Sequence, residues 1–218
     1  MKKHVLMISL SALLAACGAE KQAEAPKTEQ QAAAPAEQAM QQASAEQGAV
    51  PAVDKAALAE EAKAAVQALG GTLKGELETA MKAGGPVEAL DVCHTRAPEI
   101  AKAVSADKGM QVSRVSLKNR NPVMGAPNEW QTQVLNEFET RKAAGEDPAA
   151  LAYAEVAGNE FRFMKAIPTG AVCLKCHGTE ISPEVSAKLT ELYPDDKATG
   201  FKEGDLRGAF VVVKNLAP

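Results

Sequence analysis

Two thiols and an imidazole stand together at Cys173-Leu174-Lys175-Cys176-His177. In an exported protein, C-x-x-C-H is the attachment signature of c-type haem. Each thiol can form a thioether with a porphyrin vinyl group, and the spacing presents both to one porphyrin edge. The imidazole that follows then supplies one axial nitrogen to the iron. A structural zinc site usually needs two such pairs, and here one pair stands with scattered further candidates. A thioredoxin-like redox C-x-x-C expects a βαβ context, which the surrounding pattern lacks.

The rest of the ligand inventory is short, because the chain has three histidines and four cysteines. His4 and Cys17 lie in the N-terminal segment, which leaves Cys93, adjacent His94 and His177. Cys93 is an odd thiol, and in an oxidising compartment such a thiol tends to be oxidised or put to use. On a helix Cys93 and His94 point about 100° apart, so one of them can face an iron and the other cannot. The sixth position therefore has several rivals: Cys93 as a thiolate, His94 as a bis-histidine partner, Met124 in the Asn121-Pro122-Val123-Met124 loop, or none of them. A free cysteine can also be a small buried hydrophobe.

The N-terminus supplies the compartment. Met1-Lys2-Lys3-His4 is a short positive region, and Val5 to Leu14 is an apolar run too short to span a bilayer. It ends at Leu14-Ala15-Ala16-Cys17, which resembles the lipobox of bacterial lipoproteins. That resemblance implies a signal peptide over 1–17 and a lipidated Cys17 holding the mature protein to a membrane on the periplasmic side. Gly18 rather than Asp after Cys17 points to the outer membrane. Residues 18–53 form an Ala/Gln/Glu/Pro tract without an aromatic residue, a disordered tether reaching on the order of 30 Å. The formal net charge of -4 and the absence of a basic stripe give no reason to expect nucleic acid.

One domain is expected over 54–218. Asp54 can cap a helix in which Leu58, Ala62, Val66, Leu69, Leu73, Leu77 and Met81 recur at helical spacing. Gly84-Gly85-Pro86 should end it, and a second helix should run from Val87 to about Ala106 with an interruption near Pro98. Met110 to Leu117 alternates as a strand does, and Asn119 to Pro122 opens a loop. Asn128 to Ala144 is helical around Trp130, which reads as a core residue. Tyr153–Val156 and Glu160–Ile167 pair around Gly158-Asn159, Pro183–Tyr193 is a short helix, and Leu206–Val213 is a closing strand. Helices first, then antiparallel-type strands with a helix inserted, predict an α+β fold. Arg114, Lys118 and Arg120 lie in one polar run that could bind haem propionates, the arginines as bidentate donors. Equally, they could be solvated charges on a strand edge.

Several of these motifs together resemble a family of bacterial c-type haem domains of PAS-like fold, long catalogued as a domain of unknown function. The likeness rests on Cys93 with Ala97-Pro98, on Arg114 to Pro122, on Trp130, and on Cys173 to Gly178. It continues through Tyr193 to Gly200 and Gly204 to Gly208. The resemblance implies an antiparallel sheet with long N-terminal helices, one covalent haem c, His177 as the proximal ligand and Cys93 as the thiolate opposite. His94 beside Cys93, and Met124 where the family tends to carry Asn, depart from the pattern.

A histidine/thiolate pair donates electron density and stabilises ferric iron, so a low reduction potential is expected. With both axial positions filled, electron transfer or redox response is favoured over catalysis, and the chain is not expected to be an enzyme. A peroxidase-like activity would need an open distal site, with His94 the obvious acid/base group. The alternative is a periplasmic sensor of redox state or a diatomic gas. It would signal through a partner, since no output segment is present. An unidentified redox or signalling partner is implied either way. By analogy with PAS-like domains, the 54–81 helix could form a homodimer.

Overall fold

The computed structural model describes residues 53–216. The signal peptide, Cys17 and nearly all of the tether lie outside the described residues. Helix α1 (Lys55–Asp91) starts where the sequence places it: Asp54 accepts hydrogen bonds from the Ala56 and Ala57 backbone N–H groups. It runs unbroken through Gly70 and Gly71. At Gly85, with φ 75°, it kinks rather than ends, and Pro86 restarts the helical path. A π-helical turn (Val92–Arg96) and α2 (Ala97–Lys108) follow without a loop. The interruption expected near Pro98 is thus displaced to the turn carrying Cys93, since Pro98 sits in the first turn of α2 where it lacks no needed donor.

Strand β1 (Gln111–Val115) is shorter than the alternation suggests. The Asn121 loop contains a one-turn helix, α3 (Pro122–Gly125), capped by the Asn121 side chain. Helix α4 (Glu129–Ala143) begins in a capping box between Asn128 and Gln131. Then come β2 (Ala152–Ala157), β3 (Glu160–Pro168), a 3-10 turn (Ala171–Cys173), α5 (Leu174–His177), α6 (Pro183–Leu192) and β4 (Leu206–Asn215).

The four strands form one antiparallel sheet in the order β1-β4-β3-β2, so the fold is α+β as expected. Side-chain alternation divides the core between its faces. Val112, Phe161, Phe163 and Val212 pack with Leu58, Leu69 and Leu73 of α1 and Ile100 of α2. Val115, Met164, Ala166, Ala209 and Val211 pack on the other face with Val134, Leu135 and Phe138 of α4. A third cluster, Leu90, Val185, Leu189 and Tyr193, joins the end of α1 to α6, and Cys176 packs against it. That cluster carries the fold into the candidate site. Among the described residues, no helix is long and apolar enough to cross a membrane.

Candidate functional haem site

The Cys173–His177 run lies in the 3-10 turn and α5, and both ends of this short segment are pinned. The Gly178 N–H donates to the Leu174 carbonyl at 3.0 Å, and a Cβ on Gly178 would stand 2.5 Å from that oxygen. Any side chain there would open the turn that holds the cysteines and histidine. Residues 196–201 then lace onto it: the Phe201 N–H donates to the His177 carbonyl at 2.9 Å, and the Gly200 N–H to the Gly178 carbonyl at 2.8 Å.

His177 Nδ1 lies 2.7 Å from the Ala198 carbonyl oxygen. A carbonyl only accepts, so Nδ1 carries the proton and Nε2 presents a lone pair. Burial first, then the charges of Arg207 and Arg120, pushes the His177 pKa down to about 2, so the ring is neutral. Neutral, oriented by a backbone carbonyl and with a lone pair on Nε2, it has the form of a metal-ligating histidine.

The π turn brings Cys93 to the same place. Its thiol is half-buried and interacts electrostatically with Cys173, Cys176, Arg114, Arg120 and Arg207. Burial raises the Cys93 pKa, and the three arginines oppose that shift. Next to it, His94 is exposed, with its ring edge-on to Tyr193 at 5.4 Å between centroids. Met124 is 52% exposed on α3. The two neighbours that the sequence left as rivals thus differ in burial, Cys93 half-buried and His94 exposed.

Arg120 is 7% exposed and thoroughly committed. Its Nε donates to Asp196 Oδ2 at 3.2 Å, and its Nη2 donates to the carbonyls of Cys176 at 2.6 Å and Ala198 at 3.2 Å. It is no solvated strand-edge charge. Its Nη1 is buried without a hydrogen-bond partner. Arg114 lines the site from β1. It is exposed, yet desolvation by its neighbours lowers its pKa, with Cys93 and Tyr193 opposing the shift. Arg207 of β4 donates from Nε to His177 Nε2 at 3.4 Å and lies over the Phe201 ring. Burial, then Arg120 and Arg114, lowers its pKa to about 10. Neither Arg114 nor Arg207 has a carboxylate within ion-pair distance among the described residues. Lys118 turns instead to the Thr199 carbonyl and the Phe201 ring. Arg207 is the residue that sequence reasoning missed as a site cation, although it lies in the quoted Gly204–Gly208 motif.

This chemistry suits an iron porphyrin. Among the described residues, no group of three or more His, Cys, Asp or Glu side chains is placed to hold a bare metal ion. A porphyrin brings four nitrogens of its own and asks for one or two axial ligands, which His177 and Cys93 can give. Two cations without carboxylate partners and an orphaned buried Nη1 match a dianionic group. Tyr193, 7% exposed, and Phe201, 6% exposed, add aromatic walls. A separate groove of about 420 Å³ between α1 and α2, edged by Glu76, Arg96 and Asp107, holds none of these residues.

An α+β domain with a Cys-x-x-Cys-His turn facing a distant cysteine is the class that this fold and site define. The Tll0287-like family model matches residues 21–214, and the chain belongs to that family. Among solved structures it is similar to the cyanobacterial heme-protein Tll0287, with 30% identity over 58% of this chain and 73% of that one, at a TM-score of 0.48. No curated protein matches.

Proposed function

We propose that this protein is a mono-haem c-type protein of low reduction potential that carries electrons or responds to redox state. In this reading it is tethered through lipidated Cys17 on the periplasmic side of the envelope, towards the outer membrane, and is not an enzyme. The observation that carries the reading is the convergence of Cys93 with the Cys173–His177 turn around Arg114, Arg120 and Arg207. Membership of a family that includes a heme-protein agrees with it.

Bound there, an iron porphyrin would supply a one-electron Fe(III)/Fe(II) couple. Cys173 and Cys176 would add their S–H groups across its vinyls, a step without net oxidation. His177 would give Nε2 to the iron while Nδ1–H stays on the Ala198 carbonyl. Cys93 would serve as the opposite ligand after losing its proton, helped by the arginines and resisted by burial. Arg114, Arg207 and the remaining Nη1 of Arg120 would pair with the propionates.

Cys93 also supports the second reading, a sensor of redox state or a diatomic gas. Burial raises its pKa and so favours the protonated thiol, which would be the weaker donor to an iron.

The test is expression with haem-attachment machinery, followed by intact mass and peptide mapping. One haem mass on the peptide containing Cys173 and Cys176, absent from the double Ser variant, is expected. A wild-type protein without covalent haem would overturn the reading.

A further inference from the structure

One carbonyl oxygen at this site serves two donors. Ala198 O accepts His177 Nδ1–H at 2.7 Å and Arg120 Nη2–H at 3.2 Å. The same Nη2 reaches the Cys176 carbonyl at 2.6 Å, one residue before the histidine. Asp196 closes the arrangement: Oδ2 accepts from Arg120 Nε at 3.2 Å, and Oδ1 accepts from the Ala198 N–H at 2.7 Å. The two charged side chains are 8% and 11% exposed, so solvent screens them little.

Strength of the Nδ1–H hydrogen bond governs how much electron density an imidazole gives through Nε2. A carbonyl free to accept from that one proton pulls it strongly and makes the ring more imidazolate-like. A guanidinium on the same oxygen withdraws density from it and weakens that pull. Asp196 works the other way, by balancing the guanidinium charge. The shared oxygen thus couples the Arg120 guanidinium to the proton on His177 Nδ1.

We propose that the Arg120–Asp196 pair sets the donor strength of His177 through the shared Ala198 carbonyl. Both are positioning residues, and neither is a ligand. The inference rests on the haem reading above, and it adds a named control on the potential of that site.

The experiment compares the haem-loaded wild type with Arg120→Lys and Asp196→Asn, measuring covalent haem by mass and midpoint potential by redox titration. Arg120→Lys keeps the charge but loses the Nη2 group that reaches both carbonyls and the Nε that holds Asp196. Its potential should fall, by roughly a tenfold change in the one-electron equilibrium, about 59 mV. Asp196→Asn leaves Arg120 unbalanced and should move the potential upward. Opposite shifts at full haem loading support the proposal. Unchanged potentials, or shifts of the same sign, overturn it while leaving the haem reading intact. If Arg120→Lys does not fold or load, Asp196→Asn decides alone: an unchanged or lowered potential overturns the proposal. A wild type without covalent haem defeats the haem reading itself, which is a different failure.

Discussion

Arg207 Nε stands 3.4 Å from His177 Nε2, so a half-buried cation approaches the lone pair that would bind iron. The arrangement is costly to the bare polypeptide, because Arg120 and Arg114 add like charge to desolvation and hold the Arg207 pKa down to about 10. A dianionic porphyrin would reverse that sign. The same arginine should therefore weaken the protein without haem and strengthen it with haem.

Arg207→Met tests this reversal. In protein expressed without haem, the variant should unfold at higher temperature than the wild type. In the haem-loaded protein it should unfold at lower temperature, with each effect about 1.5–3 kcal/mol, the worth of a hydrogen bond to a charged group. Shifts of equal sign in both states would remove Arg207 from the propionate partners.

Gly208 ties β4 to the end of β1 beside the site. Its φ is 149°, and a Cβ there would lie 2.2 Å from the Val115 carbonyl oxygen and 3.0 Å from Ser116 Cβ. Gly208→Ala should cost roughly 3 kcal/mol by forcing the strands apart. Chemical denaturation measures it, and a loss under 1 kcal/mol would mean that the β1–β4 contact relaxes freely.

Asp205 gives a pH signature. Its carboxylate accepts from Lys142 Nζ at 2.9 Å and from the Lys202 N–H at 2.8 Å, and these bonds lower its pKa from 3.8. With the folded pKa below the unfolded one, the unfolded chain binds the proton first as pH falls. The stabilisation is complete above the unfolded pKa and disappears as pH drops through the lower folded value. The half-exposed pair should contribute up to about 1 kcal/mol. Thermal melts of wild type and Asp205→Asn should thus differ by a constant amount near neutral pH, and the gap should close below pH 3.8. A gap that persists at lower pH would show that the carboxylate charge is not what stabilises the loop.

Much of this architecture was legible in local chemistry. The Asp54 cap, the Asn128 start of α4 and the Gly158-Asn159 hairpin each follow from short-range rules, and each lies where its residues place it. The breaks between the N-terminal helices were harder. Gly85 and Pro86 are ordinary terminators, but packing of Leu90 against Val185 and Leu189 keeps the chain helical beyond them. The π turn at Val92–Arg96 has no sequence signature, and within it Cys93 is half-buried while His94 is exposed. Arg120 could be read equally as a propionate donor or as a solvated charge, because its partners, Cys176, Asp196 and Ala198, are distant in sequence. Arg207 was hidden for the same reason, since nothing in an alternating strand reveals that its position faces His177.

The central claim is that His177 and Cys93 ligate one iron from opposite faces. An EPR spectrum of the purified ferric protein beside its Cys93→Ala variant tests it most directly. The account predicts a low-spin signal with the compact g-spread of thiolate ligation, lost in the variant while covalent haem is retained. An identical signal in both proteins would contradict it and return the opposite ligand to His94 or Met124.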